Sequence, residues 1–193
     1  MRRIIGKSII RGQLWVQRKH EVGRFDSIIL SDVRKTNDQF RECLLAALAL
    51  LKTSDNRRFN RVQHGIGYIL NCTLGEGGAQ YHHDTRTCII DFTDAAYEAD
   101  PDLLVVYQAC TLVHESTHAV IQTRGIPYSP ENRTRIERLC VTEENRFLLH
   151  LRQLRPDILQ RLNRTFDEND WSSAWNSTPL KDFAKALRRI ISK

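Results

Sequence analysis

The chain of 193 residues carries 29 Lys and Arg against 23 Asp and Glu, a net charge of +6, with 41% hydrophobic residues. That length and composition suit one globular domain with a sizeable core and exclude a disordered or fibrous chain. The longest apolar run, Cys43 to Leu51, is far too short to span a bilayer, and five scattered cysteines without CxxC spacing exclude a disulfide framework.

Charge is unevenly placed. Arg2, Arg3, Lys7, Arg11, Arg18, Lys19 and Arg24 face the single acid Glu21 within residues 1–24, so the whole excess of +6 belongs to this segment. Two readings follow. A basic amino-terminal arm would meet an acidic partner, either nucleic acid or anionic lipid. A docked strand or short helix would pack through Ile4, Ile5, Ile9, Ile10, Leu14 and Trp15 at the domain edge. No apolar run follows the basic start, so a signal peptide is not expected and the reducing cytoplasm is the expected compartment.

Residues 25–193 are expected to form a single domain. Phe25 to Asp32 reads as a strand. Thr36-Asn37-Asp38-Gln39 reads as a capping box opening a helix through Cys43 to Leu51, apolar all round and suited to lie behind a sheet. Val62 to Cys72 and Thr87 to Phe92 read as strands, separated by the Gly75 to Gly78 loop. His82 and His83, on the way from that loop to the next strand, read as surface histidines.

The next helix is strongly signalled. Asp100-Pro101-Asp102 offers an N-cap, a proline in the first turn and a second acid there, and Gly125 marks the end. Between them runs an apolar segment, Leu103 to Thr123, interrupted by His114-Glu115-Ser116-Thr117-His118. Histidines four apart share one helix face and can hold one metal ion, and Glu115 beside the first can deprotonate a water on that metal. This is the HExxH pattern of zinc peptidases. Buried imidazoles and carboxylates need partners, and a metal ion with a water supplies them.

Catalytic zinc sites use three protein ligands. After His118 the chain passes 18 residues to Glu137. Gly125-Ile126-Pro127 makes a turn, and Ser129-Pro130-Glu131 opens another helix. His118 lies about seven residues before the turn and Glu137 about seven into the second helix, so both arms are about 10 Å long. An antiparallel pair brings Glu137 back to the histidines. Glu144 shares its face and reads as a partner for a ligand imidazole or as a solvated acid. Glu143 points elsewhere and reads as surface. Tyr128, after the turn, is the first choice for an oxyanion donor, ahead of Arg133, Arg135 and His150. Cys110 and Cys140 lie near enough to approach the metal, but buried thiols are the plainer reading.

His114-Glu115-x-x-His118 followed by 18 residues and Glu137 resembles the gluzincins, zincin-type metallopeptidases with glutamate as third ligand. The stretch Thr-Leu-Val-His-Glu-Ser-Thr-His-Ala, then Gly-Ile-Pro-Tyr, then Arg-Ile-Glu-Arg-Leu-Cys is similar to small bacterial proteins of that type. The resemblance covers about residues 103–150. It implies an α+β zincin fold with a small twisted sheet, a backing helix, the active-site helix and a glutamate helix. It implies Zn2+ on His114, His118 and Glu137, Glu115 as general base, and a peptide or protein substrate. The chain departs from aminopeptidase-type gluzincins at Ile136, where they carry Asn, and from thermolysin-like enzymes at Val141, where they carry Asp. Ile121 and Arg124 exclude the metzincin pattern. An alternative from another class is a noncatalytic zinc-stabilised binding or regulatory domain acting through its basic arm.

Beyond Arg155, Pro156-Asp157 is expected to start a helix to about Phe166. Thr178-Pro179 is expected to open an amphipathic one, with Leu180, Phe183, Leu187 and Ile190 on one face.

Overall fold

Asp26 and Ser27 break the expected first strand into a hairpin. In the computed structural model, which describes residues 14–36, 38–74 and 78–154, β1 (Glu21–Phe25) and β2 (Ile28–Asp32) pair antiparallel with Phe25 opposite Ile28. Asp26 has φ 50°, a left-handed conformation that a short polar side chain tolerates. Phe25 therefore belongs to the incoming strand.

Helix α1 (Gln39–Ser54) follows, but without the capping box. The Thr36 hydroxyl donates to Asp32 Oδ2 at 2.9 Å instead, and Asp38 takes the N-cap position at φ 66°. Buried Asp32 also accepts the backbone N–H groups of Arg34, Lys35 and Thr36 and the Asn71 amide. One carboxylate thus fastens the whole connection, and its burial is compensated.

Helix α2 (Asn56–Gly65) occupies the start of the segment expected as a strand from Val62. The Asp55 side chain caps it, accepting from Arg58 N at 3.0 Å. Phe59, Val62 and Ile66, at helical spacing, are all buried. The strand proper, β3 (Tyr68–Asn71), is four residues long. Then come β4 (Ala79–His82), a 3-10 turn (His83–Thr85), β5 (Thr87–Ile90), α3 (Asp94–Ala99), α4 (Pro101–Thr123) and α5 (Pro130–Leu154). Neither β4 nor α3 was expected from the sequence.

The fold is α+β, with a mixed five-stranded sheet in the order β1-β2-β3-β5-β4. The central strands β2, β3 and β5 are parallel, and each edge strand is antiparallel to its neighbour. Register aligns Leu30, Ile69 and Cys88 on one face, where they join the main core with Phe40, Leu44, Leu48 and Leu51 of α1 and Val106, Ala109 and Val113 of α4. Each of the Leu, Ile, Val and Phe side chains among them contributes about 1.5–3 kcal/mol. Phe147, Leu148 and Leu151 bring α5 into the same core.

The opposite face carries Ser31, Leu70 and Ile89 in one row. Residues 14–19 are helical and cover part of it. Ser31 Oγ donates to the Gln17 carbonyl at 2.7 Å, and Gln17 Nε2 donates to Thr87 Oγ1 at 2.8 Å. So residues 14–24 dock on the sheet or form β1. Trp15, expected to help them dock, is instead 61% exposed, with the Lys19 ammonium over its ring. Residues 1–13 and the two helices expected after Arg155 lie outside the described residues. Among the described residues no helix is long and apolar enough to cross a membrane.

Candidate metal centre

Helix α4 is set by its ends. Asp100 caps it, accepting from Leu103 N at 3.0 Å, and Pro101 occupies the first turn. At its other end Gly125 (φ 76°) donates to the Gln122 carbonyl and Ile126 to the Ile121 carbonyl. That paired closure needs the positive φ that glycine adopts freely. It reverses the chain within a few residues, and α5 begins at Pro130 and packs along α4.

The reversal brings the expected residues together. The His114 and His118 rings are 5.0 Å apart between centroids. His114 Nε2 donates to Glu137 Oε2 at 3.1 Å, and His118 Nε2 lies 3.6 Å from Glu137 Oε1. All three are buried, as is Glu115. Glu144, two turns further along α5, is also buried, with its Oε1 3.5 Å from His114 Nδ1. It takes the role of imidazole partner, not that of a solvated acid.

Tyr128 joins this group. Its hydroxyl donates to Glu137 Oε1, and its ring meets that of His118 edge-on at 5.4 Å. The Arg133 guanidinium stacks over the Tyr128 ring at 5.4 Å. Arg135 is exposed. His150 is directed away and donates to the Ser54 carbonyl at 2.9 Å. Glu143 is not a free surface acid: Arg58 and Arg61 of α2 both donate to its Oε2, at 3.2 and 2.9 Å. His82 ends β4 and His83 begins the following turn, outside the histidine–carboxylate group.

Cys140 is the residue whose place the sequence understated. It is fully buried one turn beyond Glu137. His114, His118 and Cys140 each present one ligand atom, all within 4.8 Å of one another, and this buried group can hold a metal ion. Glu137 is nearer to the imidazoles than that limit. The site therefore offers two candidates for a third donor, a carboxylate and a thiol. Glu137 Oε2 lies 3.1 Å from His114 Nε2 and its Oε1 lies 3.6 Å from His118 Nε2.

Electrostatics make the group distinctive. Burial opposes charge on His114, but hydrogen bonds to Glu137 and Glu144 outweigh it and lift the imidazole to about 10. Burial and the neighbouring His114 charge push His118 down to about 4. Glu115 is raised to about 7 by burial and by the Glu137 and Glu144 carboxylates, against the pull of His114. Burial also opposes ionisation of Glu137, yet its bonds to His114 and its other partners hold it below the usual carboxylate range. Burial, then the Glu137 bond, raises the Tyr128 hydroxyl. Three buried carboxylates around two imidazoles are an expensive concentration of negative charge. A bound metal cation would offset it. No protein-family model, curated protein or solved structure matches the chain.

Proposed function

We propose that this protein is a zinc-dependent peptide hydrolase of gluzincin-like, zincin-type architecture. The observation that carries the reading is the convergence of His114, His118 and Glu137 beside Glu115. Glu137 lies at 3.1 and 3.6 Å from the two imidazole nitrogens. These three residues would hold the metal. When bound, zinc supplies a Lewis acid for the scissile carbonyl and lowers the pKa of a water.

Glu115 does the proton work. It accepts a proton from the attacking water and returns it to the leaving amine. Its raised affinity for protons, near 7, suits both steps, and a cation at the imidazoles draws it down from there. Glu144 orients the His114 ring from its far nitrogen. Tyr128 stands at the exposed margin of the group, and its hydroxyl, which donates to Glu137 Oε1, would have to turn from that carboxylate to donate to a developing oxyanion. Edge strand β4 pairs only with β5 among the described strands, and α4 packs on it. A peptide or protein segment in extended form suits such an edge.

A second reading is a noncatalytic zinc-stabilised binding domain acting through its basic amino-terminal segment. The presence of a fourth protein donor, Cys140, favours it, because closed four-donor sites are structural. Glu115→Gln separates the two readings. It keeps size and shape, so zinc content and melting should be preserved. Hydrolysis of a peptide library should fall by at least roughly two orders of magnitude. Equal turnover in both proteins, including none in either, removes the peptidase reading.

A further inference from the structure

We propose that Cys140 is a fourth protein ligand to the metal, one whose thiolate closes the coordination position that a water would otherwise take. The inference rests on the metal-binding reading above and deepens it.

Placement comes first. Cys140 follows Glu137 by three residues, so both project from the same side of α5 toward α4. Its sulfur and one nitrogen from each imidazole lie within 4.8 Å of one another. Tetrahedral zinc, with bonds of about 2.0–2.1 Å to nitrogen and about 2.3 Å to sulfur, sets a nitrogen–sulfur spacing of about 3.6 Å. The side chains therefore need to close by roughly 1.2 Å at most, within the reach of small χ adjustments.

The surroundings are the second argument. Two apolar residues, Ile121 and Ile136, form a small cluster with Cys140, apart from the main core. A thiol used only to fill space belongs among apolar groups, as Cys43 and Cys110 do in the main core. Cys140 instead lies within 4.8 Å of a nitrogen on each of two imidazoles. On binding, its S–H proton leaves to solvent and the sulfur lone pair forms the bond to the metal, with no redox change.

The consequence concerns control of the site. With His114, His118, Glu137 and Cys140 bound, the metal has four protein donors and the site is closed. Hydrolysis as proposed above therefore requires the thiolate to leave the metal and a water to take its place, and a thiolate that stays bound favours the noncatalytic reading. Thiolate also tilts selectivity toward zinc and away from magnesium or calcium.

Cobalt(II) added to the metal-free full-length protein tests this. The wild type should show an intense thiolate-to-cobalt charge-transfer band in the near ultraviolet. Cys140→Ser and Cys140→Ala should lose it, while Cys110→Ser keeps it. Should both Cys140 variants fail to fold, X-ray absorption of the zinc-loaded wild type and of Cys110→Ser decides, with one sulfur expected at about 2.3 Å in each. One bound cobalt with no charge-transfer band, or a band that survives in Cys140→Ser, overturns the ligand role and leaves the metal reading intact. Failure of the wild type to bind either cobalt or zinc overturns both.

Discussion

The imidazole of His114 is gripped from its far side by Glu144, whose Oε1 lies 3.5 Å from Nδ1 while Nε2 faces Glu137. A ring engaged at both nitrogens has its orientation set before any metal arrives. Glu144→Gln should therefore keep the fold and lower zinc affinity by roughly 10- to 100-fold. Competition against a fluorescent chelator measures this directly, and unchanged affinity would remove Glu144 from the site.

Glu137→Ala removes one of the proposed donors and should lower zinc affinity while leaving the helices intact, as read by chelator competition beside circular dichroism. Should full zinc remain, Glu143 cannot be the substitute ligand without leaving Arg58 and Arg61. Unchanged affinity would remove Glu137 from the site and leave His114, His118 and Cys140 as the donors.

Gly65 ends α2 against α4. A Cβ built there stands 2.8 Å from the Ala119 Cβ, next to His118. Gly65→Ala must push one helix from the other, at a cost of about 1–3 kcal/mol that outweighs the gain in helix propensity. The melting midpoint should fall, and zinc affinity with it, because α4 carries both histidines. An unchanged midpoint would show that the contact relaxes freely.

Glu143 gives a pH signature away from the metal residues. Burial opposes its ionisation, but Arg146, Arg61 and Arg58 hold its pKa below the ordinary glutamate value of 4.5. A depressed folded-state pKa adds stability that is present above 4.5 and lost as pH falls through the folded value. Near neutral pH, Glu143→Gln should cost about 1–2 kcal/mol, discounted for partial exposure. That is about 2–8 °C in melting midpoint. The two proteins should converge in acid, and a constant difference down to strong acid would contradict the ion-pair account.

Formal charge places any electrostatic affinity for nucleic acid or anionic vesicles in residues 1–24. Arg2, Arg3, Lys7 and Arg11 replaced together by Gln remove four of the seven cations of this segment and should weaken such binding and its salt dependence while leaving zinc content unchanged. This set spares residues 14–24, which are built onto or into the sheet. Binding that survives the replacement undiminished would discard the arm as its source.

Local chemistry was enough to place the helix carrying His114 and His118. Asp100, Pro101 and Gly125 act on backbone groups within a few residues, so their effect is readable from the chain alone. The spacing to Glu137 was readable for the same reason, since two helical arms joined by a tight turn have fixed lengths. The α2 signal was present as well, in the Asp55 cap and the Phe59–Val62 spacing, though Gly65 and Gly67 disguised where helix gave way to strand. Other features depend on contacts between residues far apart in sequence. Strand β4 is defined by pairing with β5, Thr36 leaves its expected cap because Asp32 lies closer, and Glu143 is captured by arginines of α2. Whether Cys140 is a core thiol or a metal neighbour depends on how closely α5 packs on α4. That distance is set by the side chains interlocking between the helices, and only the tertiary structure decided it.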